Sequence, residues 1–182
     1  MMGFTIQQEL TKVKAAHRFQ VNADLRDVRL LDCSATMAET RTESEGQLRL
    51  GLDLETSVLS SAEGCARLAV RIIVHGDPKD GEGKSEKHLF EVACRYALQY
   101  ALKEGYTPSQ EELDAFKEGN AVFQCWPYSR ELVQNLTMRM GLQMPPMPFL
   151  RLAPKPAPKK PTVRRSSRKQ IDAATEQPVE QS

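Results

Sequence analysis

The chain has 182 residues, 40% of them hydrophobic and 27% charged, with a net charge of +1. That is enough apolar material for one cored domain with appendages, and the charged fraction is typical of a soluble protein. No stretch approaches the roughly 18 apolar residues of a membrane helix. The opening MMGFTIQQELTKVK has no apolar signal-peptide region and carries Glu9 early, so the expected location is the cytoplasm. The charge is uneven: residues 1–152 hold 18 Lys/Arg against 21 Asp/Glu, and residues 153–182 hold 7 against 3. A mildly acidic body therefore carries a basic tail.

Residues 1–16 read as an N-terminal amphipathic helix from Phe4 to Ala16. Thr5 and Gln8 fit a capping box, and Ile6, Leu10 and Val13 recur at helical spacing. A strand-like run follows in which Phe19, Val21, Ala23 and Leu25 alternate with polar residues. The phase then slips by one to Val28 and Leu30. One extra residue in a bulge produces such a slip, as does a separate short strand after a turn.

Leu48, Leu50, Leu52 and Leu54 point one way, with Arg49, Asp53 and Glu55 opposite, as expected for a sheet packed on one side. Leu68, Val70, Ile72 and Val74 form the next strand, with Arg67 and Arg71 on its other face. The segment Asp77–Glu86 reads as a charged hairpin loop. From Leu89 to Leu102 an unbroken period of two runs through Phe90, Val92, Cys94, Tyr96, Leu98, Tyr100 and Leu102. Ala93, Ala97 and Ala101 would also suit a helix, but the period favours a strand.

A helix is expected from Thr107, with Thr107 as N-cap, Pro108 at the first position, Gln110 closing the box and Gly119 at its end. A longer helical region from about Ala121 to Met140 places Val122, Trp126, Ser129, Val133, Leu136 and Met140 on one stripe, widened by Phe123, Tyr128 and Leu132. Pro127 should kink it or mark its true start. LQMPPMPFLRL after Gly141 reads as neither helix nor regular strand, and residues 153–182 as a disordered Pro-rich basic tail. Strands followed by helices, without βαβ alternation, indicate an α+β fold: a four-stranded antiparallel sheet with helices packed on one face.

Chemistry is sparsely signalled. There is no G-x-S-x-G, P-loop, G-x-G-x-x-G or H-E-x-x-H motif, and no enzyme activity or cofactor is expected. Cys33, Cys65, Cys94 and Cys125 are widely spaced among apolar neighbours, as buried free thiols would be. His17, His75 and His88 form no close pair with each other or with a cysteine, so no metal ligand set is expected. Residue type alone assigns the Met- and aromatic-rich stretch 122–152 to core and subunit interface, although adaptable thioethers also suit binding of varied partners. Seven positive charges between Lys155 and Lys169 offer an alternative role as an adaptor tethered to nucleic acid. No aromatic residue interleaves them to stack on bases, and the acidic body does not extend the footprint.

Residues 119–152, GNAVFQCWPYSRELVQNLTMRMGLQMPPMPFLRL, resemble the C-terminal helical block of SecB-type chaperones. The likeness lies in Trp126, Pro127, Tyr128, Arg130 and Glu131, then an apolar helix ending at Gly141, then a stretch with Pro145, Pro146 and Phe149. With the four strands upstream it spans residues 17–152, taken as the chaperone domain. The resemblance implies an ATP-independent holdase, assembled as a homotetramer (a dimer of dimers), that holds unfolded clients such as preproteins or an unstable antitoxin in long apolar grooves. Phe123, Trp126, Tyr128, Leu132, Leu142, Met144, Met147 and Phe149 are the expected groove residues. Export chaperones of this kind continue into a further helix that helps dock the export motor ATPase. Here a Pro-rich basic tail replaces it, which favours the solitary members that protect an antitoxin. No membrane insertion is expected.

Overall fold

The structure is a computed structural model that describes residues 4–38, 48–78, 88–142, 144 and 146–155. Its first element is a strand, β1 (Phe4–Gln8), rather than the start of a helix. Phe4, Ile6 and Gln8 turn inward with a period of two, and the backbone pairs in parallel with a strand from the far end of the domain, Leu150–Pro154. That remote partner overrides the local capping pattern at Thr5 and Gln8. Helix α1 (Leu10–Asn22) begins only after Glu9, which makes no side-chain cap, and continues well past Ala16. It buries Ala15, Ala16 and Phe19, while Leu10 and Val13, expected to face inward, are exposed. Phe19, read as a strand residue, is instead the helix's anchor. Its ring lies 5.4 Å from that of Tyr100 and 4.5 Å from that of Phe116.

Four long strands follow: β2 (Ala23–Met37), β3 (Leu48–Ala62), β4 (Cys65–Pro78) and β5 (Phe90–Leu102). They form one antiparallel sheet in the order β2-β5-β4-β3. The slip between Leu25 and Val28 is a bulge: Leu25 pairs with Tyr100 and Asp27 with Gln99, leaving Arg26 as the extra residue. A second shift leaves Leu31 as the extra residue between Leu30 and Asp32. β3 and β4 meet at a tight turn where Gly64 takes φ +73, a conformation that costs glycine nothing. The central strands behave as their patterns require. Leu68, Val70, Ile72 and Val74 on β4 and Phe90, Val92, Cys94, Leu98 and Tyr100 on β5 are essentially inaccessible. Each large apolar side chain buried there contributes roughly 1.5–3 kcal/mol.

Helix α2 (Gln110–Phe116) is capped two residues later than expected. Ser109 Oγ accepts from the Glu112 amide at 3.2 Å, and Glu112 Oε2 accepts from the Ser109 amide at 2.9 Å. This is the same two-way box, built on Ser109 and Glu112 instead of Thr107 and Gln110. Gly119 does not end the helix. A π turn, Lys117–Ala121, carries the chain straight into α3 (Val122–Arg139). The reason for glycine is packing: the Gln8 side chain lies where a Cβ of residue 119 would sit, and its amide donates to the Ala115 carbonyl at 3.2 Å. β1 is thereby tied to the α2–α3 junction. Pro127 lies inside α3 and does not interrupt it.

Helix α3 ends in a Schellman arrangement. Gly141 at φ +74 donates to the Met138 carbonyl, and the Leu142 amide donates to the Thr137 carbonyl, each at 3.0 Å. The end of the Pro/Met stretch is strand β6 (Leu150–Pro154), so regular structure runs past residue 152, and the Lys155 amide donates to the Gln8 carbonyl at 2.7 Å. The rest of the expected tail, residues 156–182, lies outside the described residues, as do 79–86 of the expected hairpin loop. Helices α1 to α3 cover one face of the sheet. The other face is polar: Glu55, Arg71, Arg95 and Asp32 form one register row across all four strands, bordering a cavity of about 550 Å³. Among the described residues no helix is long and apolar enough to cross a membrane.

Candidate functional site

The helices do not cover the sheet evenly. Their buried stripe on α3, which includes Val122, Cys125, Trp126, Ser129 and Val133, sits over β4 and β5. β2 is an edge strand. Its Leu25, Leu30 and Met37 pair with Tyr100, Tyr96 and Phe90, and directly paired side chains share a face. They therefore point to the helix-covered side, yet all three are substantially exposed, Leu30 by 47%. Leu31, the bulge residue beside Leu30, is also exposed.

Helix α3 borders this strip. Tyr128 is 51% exposed, and its ring centroid lies 6.4 Å from that of Tyr96, the residue paired with Leu30. Leu132, one turn on, is partly buried against the core. Tyr100 Oη donates to Gln124 Oε1 at 2.5 Å, which fixes this flank of α3 over β5. The result is an open apolar strip along β2, bordered by α3.

The expected groove residues do not all meet there. Residues five apart on a helix are about 140° apart, so Phe123 and Tyr128 lie on different flanks. Phe123 and Phe149 are exposed, Phe149 with Arg130 stacked 4.6 Å above its ring. Leu142 and Met144 are partly buried against the core. Trp126 and Met147 are core residues, 4% and 1% exposed, and correct the expectation that they line an open groove. Trp126 Nε1 donates to the Pro148 carbonyl at 3.2 Å, and its ring meets Phe4 edge-on at 5.7 Å. Arg130 Nε donates to the Met147 carbonyl at 2.7 Å. Two residues of the Trp-Pro-Tyr-x-Arg-Glu motif thus hold down the segment after α3, leaving its tyrosine on the open flank. Sequence reading missed the floor residues Leu25, Leu30 and Met37. The available signal was an apolar edge strand that outruns its helical cover, and strand order is not visible in a pattern.

The thiols are not equivalent. Burial pushes the Cys125 thiol up to about 12, and burial also raises that of Cys94, so neither is nucleophilic at neutral pH. Cys33 is exposed, which corrects the expectation of burial, and Cys65 is intermediate. In the native protein, a thiol reagent followed by mass spectrometry should modify Cys33 first and leave Cys94 and Cys125 untouched until unfolding.

A second correction concerns histidine. His75 and His88, distant in sequence, lie with ring centroids 3.9 Å apart. With Asp77 they form a cluster whose ligand atoms all fall within 4.8 Å of one another.

No protein-family profile matches the chain. It is 30% identical over 176 residues to two Mycobacterium tuberculosis proteins, SecB-like chaperone MT2006 of strain CDC 1551 / Oshkosh and SecB-like chaperone Rv1957 of strain H37Rv, covering 88% of this chain and 94% of each relative. Its fold matches the solved structure of the Mycobacterium tuberculosis Rv1957 SecB-like chaperone in complex with a ChAD peptide from the Rv1956 HigA1 antitoxin. The TM-score is 0.64 at 23% identity, over 77% of this chain and 98% of that one.

Proposed function

Because the chain belongs to the family of SecB-like chaperones, we propose that it is an ATP-independent holdase whose client lies along the strip between β2 and α3. One observation carries this reading: a strip of large apolar side chains, Leu25, Leu30, Met37 and Tyr128, left open beside an unpaired sheet edge in the described chain. Exposed contiguous apolar surface marks an interaction site. An extended client can bury side chains there at about 25 cal/mol per Å² and pair its backbone with the outer edge of β2. Leu132 joins this strip. Phe123 and Phe149, both exposed away from it, are suited to a subunit contact or to the continuation of a long client.

The client we favour is an unstable antitoxin, a choice supported by the Rv1957 chaperone's complex with a peptide from the HigA1 antitoxin. Preprotein export is the second use, and docking of an export motor ATPase would belong to it. The family likeness supports a homotetramer working in the cytoplasm without catalysing a reaction. Residues 17–152, with β1 and β6 closing the unit, are the proposed chaperone domain. The nucleic-acid adaptor reading has no support from the relatives.

The test is aggregation of a reduced, unfolded client followed by light scattering. Suppression at one four-chain particle per client is expected, along with a native mass of four 20.5 kDa chains. Aggregation unchanged by the protein would overturn the holdase reading.

A further inference from the structure

We propose that His75, Asp77 and His88 form a binding site for zinc or a similar divalent transition metal at the end of the sheet where β4 stops and β5 begins. Four observations converge on it. First, His75 and Asp77 are two apart on β4 and so share a face, and His88 stands just before β5 and next to them. His88 Nδ1 lies 2.8 Å from Asp77 Oδ1, and the two imidazoles overlap with an interplanar angle of 34°.

Second, His75 Nδ1 is buried and has no hydrogen-bond partner among the described residues. Buried polar atoms are nearly always paired, and an exception calls for an explanation such as an ion. The nearest carboxylate oxygen, Asp77 Oδ2, is 3.8 Å away. That is too long for a hydrogen bond. It is close to the separation of two ligands on one tetrahedral zinc, about 3.4 Å for bonds near 2.0–2.1 Å.

Third, the other nitrogen of His75 faces a different carboxylate: Nε2 lies 3.4 Å from Asp53 Oδ2 on β3. A carboxylate there favours the tautomer with its proton on Nε2, leaving the Nδ1 lone pair directed at Asp77 and His88. Metal-ligating histidines are oriented in this way by an outer carboxylate. Fourth, β3 makes room for the ring. Gly51 is the register partner of His75, and a Cβ there would overlap the imidazole.

Two imidazoles and a carboxylate suit zinc and its neighbours rather than calcium or magnesium, which prefer all-oxygen sets. Three protein ligands leave the fourth position to solvent. An ion bound here would clamp β3, β4 and β5 together at one corner, away from the β2–α3 strip. The site is independent of the holdase reading, since the metal is measured without a client.

The experiment is titration of the full chain with zinc by calorimetry and with cobalt(II) by absorption. One metal per chain is expected, with the visible bands of tetrahedral cobalt and no thiolate-to-metal band, since four cysteines could otherwise compete. H88Q and D77N should each weaken zinc binding at least 100-fold, and H17Q should leave it unchanged. Asp53 is a positioning residue, so D53N should weaken binding about 10- to 100-fold. Zinc should raise the melting temperature of the wild type but not of H88Q. His88 is partly exposed, so H88Q should fold, and D77N gives a second reading if it does not. Absence of saturable binding, a thiolate band, or binding undiminished in H88Q or D77N would overturn the proposal.

Discussion

Replacing Leu30 and Tyr128 together by aspartate should abolish client holding while leaving the fold intact. Both side chains are about half exposed, so the double change should shift stability by no more than about 2 kcal/mol, well short of the cost of a core substitution. Its effect on binding is larger. Half buried already, each side chain offers a client about half of the roughly 1.5–3 kcal/mol of full apolar burial, and each new carboxylate would have to be desolvated beneath the client. A combined loss of at least about 3 kcal/mol corresponds to roughly 100-fold in affinity. Light scattering of an unfolded client measures the holding, and circular dichroism establishes that the variant is folded. If L30D/Y128D suppresses aggregation as well as the wild type, the strip assignment is wrong. If F123D/F149D loses holding instead, the client lies on the other flank of α3.

The second large effect is expected at Trp126. W126A should lose about 3–5 kcal/mol, the usual cost of deleting a buried aromatic ring, read as a fall in the urea midpoint by circular dichroism. The indole fills space between α3 and Phe4 and ties Pro148 to the helix, so its loss also unsettles β1 and β6. W126F keeps most of the ring but leaves the Pro148 carbonyl without its donor, and should cost about 1–3 kcal/mol. Destabilisation of W126A by less than about 1 kcal/mol would show that the motif tryptophan belongs to the client surface after all. The proximity of Arg130 to Phe149 and Met147 makes the same point. Two of the residues that carry the family likeness, Trp126 and Arg130, fasten the segment after α3, while Tyr128 faces outward.

Legibility in the sequence followed the range of the interactions. The strands at 48–54, 68–74 and 90–102 were readable because a one-sided sheet imposes a period of two on residues adjacent in the chain, and the bulge after Leu25 showed as a break in that period. Helix α3 was readable from its stripe and from Gly141, whose positive φ closes it. The errors fell where a distant partner decides. Phe4–Gln8 carries a local helix signal but is extended because β6 lies beside it. Gly119 looks like a stop and is instead a hollow for Gln8. Local chemistry also misplaced the second cap, since both Thr107 and Ser109 fit the box and only the backbone path selects Ser109.

The candidate site divides in the same way. From the amino-acid sequence alone come the α+β class, the strand faces, the helical block and the family likeness, because each rests on residues near one another along the chain. Only the tertiary structure decided that β2 lies at the sheet edge beyond the reach of α3, that Trp126 and Met147 are core while Tyr128 is open, and that His75 and His88 meet. Those facts depend on strand order and on which flank of a helix faces a neighbour, and both are set by contacts between residues far apart in the chain.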